Sequence, residues 1–271
     1  MSDERGSSRL VHVSSSPATL SARVRWIGWA VAVLALYWWS AEGTRLNVYS
    51  LLEGLHGVGD IFVRMFPPRL DVLPKLVDPA VETVQISIWG TTLGVLFSIP
   101  LGILAAKNVT PNRLTYVLGR QILNLLRAIP EMVMALIFVA SVGLGPFPGV
   151  LAVAFHSTGM LGKFLADSIE NVDPGPMEAL VSTGARSRQI FAYAVVPQIL
   201  PEFVSLCLFR WEMNFRSSTV LGIVGAGGLG FELITSMRLF RYQEMTTIIL
   251  LILAFVALVD FLASRIRKRI I

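Results

Sequence analysis

Long uncharged stretches separated by short polar ones dominate the pattern of this chain. Residues 26–41 and 83–106 carry no charge, nor do residues 132–162, and residues 246–265 hold only Asp260 before the closing arginine. A helix needs roughly 20 apolar residues to cross a bilayer. The pattern therefore predicts a bundle of membrane-spanning helices joined by short loops.

The number of spans depends on how the middle of the chain is divided. The stretch 132–162 is too long for one ordinary span, and the glycine- and proline-rich insert at 143–149 divides it between a third helix, 113–142, and a fourth. A fifth span is predicted over 197–216 despite its internal charges. We therefore predict an all-α polytopic membrane protein with about six transmembrane helices.

The polar stretches between the spans divide the chain into regions. Residues 42–77 are mixed in character and predict a short amphipathic helix over about 49–66 at the membrane surface. The predicted regions are a polar cytosolic tail (1–25), a first span with an extracytoplasmic interfacial segment (26–77), a core domain (78–265) containing a cytosolic loop (170–197), and a basic cytosolic tail (266–271).

Charge content and placement support this assignment. Only 15% of the residues are charged, against about 25% in a typical soluble domain. With both termini inside, the inner segments hold 12 Lys and Arg residues and the outer segments hold 6. Because positive residues accumulate on the cytosolic side, we expect both termini in the cytosol of a bacterial cell (inner) membrane.

Catalytic and cofactor motifs are missing or lack their structural context. Gly225, Gly227 and Gly230 have the G-x-G-x-x-G spacing of a dinucleotide site, but no strand pattern precedes them and no βαβ unit surrounds them. The glycines instead fit close helix packing or a buried re-entrant segment. No phosphate loop is present, and a single cysteine excludes a cysteine-cluster metal site. We expect no catalytic residue, metal or cofactor in this chain.

A helix, a glycine turn and a second helix are predicted in the cytosolic loop at 177–201. Glu178 is expected in the first turn of the first helix, where a carboxylate interacts favourably with the helix dipole. Gly184 and Ala185 form the turn, and Pro197 suits the first turn of the following span. Such a hairpin is either an ordinary connection or a docking surface for another protein.

At these residues the sequence resembles the permease subunits of ABC importers, whose cytosolic pattern is E-A-A, three residues, G, nine residues, I-x-L-P. The matching positions are Glu178, Ala179, Gly184 and Pro197. Leu180, Ala194 and Val196 depart from the pattern by apolar exchanges. The resemblance implies a type I ABC importer permease fold whose loop, with Ala185, docks on a separate ATPase that binds ATP and Mg.

Longer strings, among them "RAIPEMVMALIF" and "YAVVPQILPEFVSLCLFRWEMNFRSSTVLGIVGAGGLGFEL", resemble the permeases of phosphonate importers, the PhnE family, over about residues 78–265. That resemblance implies a homodimer, two ATPase subunits and an extracytoplasmic binding protein. The implied cargo is a phosphonate or a related phosphorus oxyanion such as phosphate or phosphite.

Charged and hydroxyl side chains inside the predicted spans are candidates for the substrate pathway, because an ionisable group in a membrane is costly and usually functional. Arginine binds phosphorus oxyanions through paired hydrogen bonds. The candidates are Arg127, Arg210, Arg216, Ser217, Ser218 and Thr219. Structural alternatives stay open: Arg210 could pair with Glu131 or Glu202, and Arg216 could extend to the interface.

Three other functions remain open at this stage. An importer of methionine, an osmolyte or an inorganic anion would share the loop pattern. A secondary transporter would use the intramembrane charges to couple an ion gradient and would need no ATPase. A membrane-embedded enzyme would need a convergent catalytic set, which the sequence does not contain.

Overall fold

The structure, a computed structural model, describes residues 20–44, 48–110 and 112–270. Within these residues every regular element is helical. The α-helices are α1 (Leu20–Gly43), α2 (Val48–Met65), α3 (Val77–Leu104), α4 (Arg113–Ala128), α5 (Glu131–Val142), α6 (Pro146–Glu170), α7 (Pro174–Ser182), α8 (Ser187–Ile190), α9 (Val196–Leu221), α10 (Gly228–Arg238) and α11 (Tyr242–Ile270). Two 3₁₀ turns (Leu70–Leu76 and Gly222–Val224) and a π-helical turn (Phe191–Val195) join some of them. The all-α prediction is confirmed.

In the described part of the chain, four continuous helical segments are long and apolar enough to cross a membrane, namely Leu70–Leu104, Pro146–Glu170, Ser187–Val224 and Tyr242–Arg269. Helices α4 and α5 make a fifth crossing only if the pair is counted as one span, because the chain bends by 89° between them. Pro130 lies at the break, where it cannot donate the backbone hydrogen bond that a continuous helix needs. The predicted third span is thus two helices joined at a sharp bend, which is the geometry of either a broken span or a re-entrant loop.

The predicted first span is helical, as α1, but it is not among these four segments. Its crossing of the membrane stays a prediction. Residues Met1–Asp60 and Ile61–Ile271 form two compact units, and α1 belongs to the first. The amphipathic helix predicted over 49–66 is present as α2.

The second unit is built around the pair α3 and α6. Gly90 and Gly94 of α3 face Val153 and Ser157 of α6 so closely that a Cβ on either glycine would overlap its neighbour. Further along, Gly102 approaches the backbone of α6 in the same way. Small residues at four-residue spacing let two membrane helices approach closely, which replaces the hydrophobic effect as the source of packing energy.

Polar contacts close the two ends of this bundle. At one end the carboxylate of Glu170 accepts hydrogen bonds from the Lys107 backbone amide at 2.7 Å and from the Arg120 guanidinium at 2.8 Å. At the other end Arg69 Nη1 donates to Glu244 Oε1 at 3.0 Å, and Thr247 Oγ1 donates to the Arg69 carbonyl at 2.9 Å. Charged side chains thus mark the two ends of the predicted spans.

Candidate functional site

A helical hairpin, residues 174–190, follows α6 at the Glu170 end of the bundle; we call it the coupling hairpin. Its first helix begins at Pro174, capped by Asp173, whose Oδ1 accepts from the Gly175 amide at 3.0 Å. Glu178 therefore lies in the second turn of α7, and its predicted place in the first turn is wrong. The prediction missed the earlier Asp-Pro start signal, which is a standard N-terminal cap.

The turn of the coupling hairpin depends on Gly184, whose φ of +76° is in the left-handed region. Its amide donates to the Val181 carbonyl at 3.0 Å, and the Ala185 amide donates to the Leu180 carbonyl at 3.2 Å. A Cβ at Gly184 would contact nothing within 4 Å, so the glycine is needed for its backbone conformation and not for space.

The surface of the coupling hairpin is open. Helix α7 has no buried side chain, and Glu178, Ala179 and Gly184 are exposed, while Ala185 is half-buried. Val181 is 60% exposed beside them. The hairpin thus presents a carboxylate and apolar side chains with no partner inside the described part of the chain.

The base of the coupling hairpin is tied to α9. Gln198 Oε1 accepts from the Asp173 amide at 2.9 Å, and Gln198 Nε2 donates to the Ala194 carbonyl at 2.8 Å. Met177 packs against a buried cluster that includes Val195. Pro197 is exposed and begins α9, as predicted. These contacts join the hairpin to the start of α9.

Arg210, in the middle of α9, is buried in a polar network. Its Nε donates to Ser157 Oγ at 3.1 Å, and Ser157 Oγ also accepts from Asn214 Nδ2 at 2.9 Å. Asn214 Nδ2 reaches Thr91 Oγ1 at 2.8 Å, so the network joins α3, α6 and α9. These polar partners were not singled out from the sequence.

The acidic partner of Arg210 is Glu131, at the α4–α5 break. Glu131 Oε2 lies 3.9 Å from Arg210 Nη2, whereas Glu202, the other candidate, accepts from Ser168 at 3.2 Å. Glu131 Oε1 and Arg210 Nη2 are buried without a hydrogen-bond partner in the described residues. The pair is therefore electrostatic and incompletely hydrogen-bonded.

Two candidate pathway residues, Arg216 and Ser217, line one cavity of about 360 Å³ together with Glu131. The rest of its wall is apolar, with Met132 and Met213 among the lining residues. Arg216 keeps 52% of its side chain exposed; its Nη2 lies 3.3 Å from Glu212 Oε1. We call this space the Arg216 cavity.

The remaining candidate pathway residues lie elsewhere. Ser218 is buried and its hydroxyl donates to the Phe215 carbonyl at 2.7 Å, and the Thr219 hydroxyl donates to the Arg216 carbonyl at 2.7 Å. Arg127 is exposed at the end of α4 and is not in the lining of the Arg216 cavity. The structure thus groups Arg216 with Ser217 and separates them from Arg127.

The glycine-rich segment is a break between two helices. Gly225, Gly227 and Gly228 have positive φ values, and α10 starts at Gly228. The first amides of α10 are bound from α3, with the Gly228 amide donating to Glu82 Oε2 at 3.0 Å and the Leu229 amide to Thr83 Oγ1 at 2.8 Å. Helix α9 precedes the motif where a dinucleotide site requires a strand, in agreement with the sequence argument.

The comparisons with known proteins identify the class. Residues 98–271 match the family described as binding-protein-dependent transport system inner membrane component. The chain belongs to this family and is a multi-pass inner-membrane permease subunit of the ABC importer type.

Particular relatives narrow the class further. The phosphite transport system permease protein PtxC of Stutzerimonas stutzeri is 45% identical over 223 residues, covering 82% of this chain and 81% of that protein. The phosphate-import permease protein PhnE of Mycolicibacterium smegmatis is 42% identical over 219 residues, which cover 81% of this chain and 41% of that protein. The family resemblance seen in the sequence is confirmed.

A solved structure supports the fold independently of sequence. The methionine ABC transporter MetNI in an inward-facing conformation has a chain that superposes with a TM-score of 0.64 at 21% identity, covering 75% of this chain and 99% of that chain. This likeness confirms the type I permease fold.

Proposed function

We propose that this chain is the membrane-spanning permease of an ATP-driven importer for a phosphorus oxyanion, namely phosphonate, phosphite or phosphate. The observation that carries the proposal is the coupling hairpin, exposed on its surface and hydrogen-bonded at its base to α9, the helix that supplies Arg216 and Ser217. The names of the 45% and 42% identical relatives support the cargo class.

The Arg216 cavity has the chemistry for weak, reversible contact with such an anion. Arg216 and Ser217 provide hydrogen-bond donors, whereas the Glu131 carboxylate in the same lining repels an anion and the other lining residues are apolar. Glu212 pairs with Arg216 at 3.3 Å and competes with the anion for the guanidinium. Weak binding is required, because a transported ion must also leave.

Force would reach this cavity along α9. Closure of an ATPase dimer against Glu178, Ala179 and Ala185 would displace the coupling hairpin, and the hydrogen bonds of Gln198 would move the start of α9 with it. The segment Ser187–Val224 is one long helical unit that ends beside the cavity. ATP and Mg would bind to the partner ATPase and not to this chain, which acts as a permease and not as an enzyme.

The assembly we propose contains two copies of this chain, two ATPase subunits and an extracytoplasmic binding protein. The hairpin-bearing end would face the cytosol, with both termini on that side, because the inner segments hold 12 of the Lys and Arg residues outside the spans against 6 on the outer segments.

Stimulated ATP hydrolysis in lipid nanodiscs tests this function. The chain would be co-expressed with its ATPase, and binding protein with phosphite, phosphate or methylphosphonate would be added. We expect stimulation that falls at least tenfold in Glu178→Ala and Gly184→Val, since the first removes an exposed hairpin carboxylate and the second strains a φ of +76°. The matched control, Arg238→Ala, removes an exposed charge outside the hairpin and should retain stimulation.

The outcomes separate the competing functions. Stimulation by methionine or an osmolyte, but not by the phosphorus anions, would support an ABC importer and refute the proposed cargo class. Uptake that follows an imposed ion gradient without any ATPase would overturn the importer itself.

A further inference from the structure

A second cavity lies at the end of the bundle opposite the coupling hairpin. Its volume is about 660 Å³, and it opens where α11 begins and where the span Leu70–Leu104 begins. The lining residues that matter here are Arg64, Arg69, Lys75, Phe240, Arg241 and Glu244. We call it the basic pocket. It shares no lining residue with the Arg216 cavity.

The charges of the basic pocket are unbalanced. Glu244 is the one carboxylate in the lining, and it pairs with Arg69 at 3.0 Å and with Arg241 at 3.5 Å. Arg64 and Lys75 have no ion-pair partner in the described part of the chain. Arg69 also pairs with Asp71, which is outside the lining, at 3.0 Å. Four cations thus face two carboxylates, and the excess positive charge of this concave site attracts an anion.

The position of the pocket indicates how deep in the membrane that anion would lie. Its cations flank the first residues of two spans, at the level where headgroups meet the hydrocarbon core. Phe240 has a φ of +56° and is 74% exposed, with its ring 6.3 Å from that of Tyr242 in an edge contact. Exposed aromatic rings at a span end are typical of the lipid interface.

We propose that the basic pocket binds a tetrahedral phosphorus oxyanion, either as the phosphate of an anionic phospholipid headgroup or as the free anion. Arginine and lysine bind such groups through charge-assisted hydrogen bonds, and basic pockets between membrane helices bind anionic headgroups. The cavity is open enough for one headgroup, and the flanking aromatic residues suit its glycerol and acyl portions. This site is distinct from the Arg216 cavity.

Titration of the detergent-solubilised full chain with short-chain phosphatidylglycerol, followed by native mass spectrometry, tests the proposal. Parallel arms use phosphatidylcholine and inorganic phosphate. Arg64→Gln and Lys75→Gln should each weaken anion binding about fivefold, the loss expected for one cation near an anionic lipid surface. Lys75→Arg should keep the affinity because it keeps the charge. The control Arg238→Gln removes an exposed arginine outside the pocket and should change affinity less than twofold.

The arms identify the source of the anion. If phosphatidylglycerol binds and free phosphate does not displace it, the ligand of the pocket is a lipid headgroup. If only phosphate binds, and its binding saturates, the ligand is the free anion. The proposal is overturned if neither anion binds, or if the Gln variants at Arg64 and Lys75 lose no more affinity than Arg238→Gln.

Discussion

The ion pair between Glu131 and Arg210 offers a quantitative test of how this protein tolerates charge inside a membrane. The two groups are 3.9 Å apart, with side-chain exposures of 15% and 7%. At this distance, and with the effective dielectric constant of about 20 that suits protein sites, two unit charges attract by about 4 kcal/mol. Desolvation of each ion costs several kcal/mol, so the pair as a whole adds little net stability.

Replacing one member of the pair should therefore cost far more unfolding free energy than replacing both. Glu131→Gln leaves a buried guanidinium without its counter-charge, and Arg210→Met leaves a buried carboxylate, so each should cost about 3 kcal/mol of unfolding free energy. The double variant should cost about 1–2 kcal/mol, since it still loses the hydrogen bond from Arg210 Nε to Ser157 at 3.1 Å. The coupling energy in the double-mutant cycle should be about 4–5 kcal/mol.

Reversible unfolding in mixed micelles, with SDS as denaturant, measures all four proteins under one condition. Asn214→Asp is unsuitable as a control because it adds charge to the same network, whereas Arg238→Met removes an exposed arginine and should cost less than about 0.5 kcal/mol. Additive losses, with a coupling energy below about 1 kcal/mol, would refute the pairing. Transport measured on the double variant then distinguishes two roles of Arg210. If Arg210 is only structural, transport should persist, because the double variant recovers most of the stability that the single variants lose. If Arg210 contacts the anion, transport should still be lost.

Two further substitutions test the packing and the closure of the bundle. Gly230→Ala would place a Cβ onto the Thr219 carbonyl oxygen, and because that oxygen belongs to the α9 backbone we expect a loss of about 3 kcal/mol in SDS unfolding. Gly57→Ala, with nothing within 4 Å of the added Cβ, should be neutral or slightly stabilising. Equal stabilities of the two variants would mean that α9 and α10 separate freely. Arg120→Gln removes a partly exposed 2.8 Å contact to Glu170, and we expect it to lower the unfolding free energy by about 1 kcal/mol. Because salt screens exposed charges, this difference should be smaller at high salt. A difference that does not change with salt would contradict the electrostatic explanation.

The helices were predictable from the sequence wherever a single physical effect dominated. Long uncharged runs predicted α3, α6 and α11. These predictions hold because the hydrocarbon core requires every spanning segment to satisfy its own backbone hydrogen bonds, which a helix does. The prediction was least complete where two effects compete. The run containing Pro130 was apolar enough for one span, yet the chain bends by 89° there because the proline interrupts the helical hydrogen bonds.

The coupling hairpin was predictable because its signals are local: a glycine at the turn, a proline at the start of α9 and a polar loop between two apolar runs. The partners of Arg210 were not, because they come from residues far apart in sequence. Arg210 is linked to Thr91 through Ser157 and Asn214, and nothing in the sequence around these three partners marks them as a network. Their meaning depends on the close approach of α3 and α6 at Gly94, which brings Ser157 within reach of α9. A small residue in one helix thus determines which polar residues of two others can meet, and a search for buried networks in such permeases should begin at the glycine contacts and not at the charges.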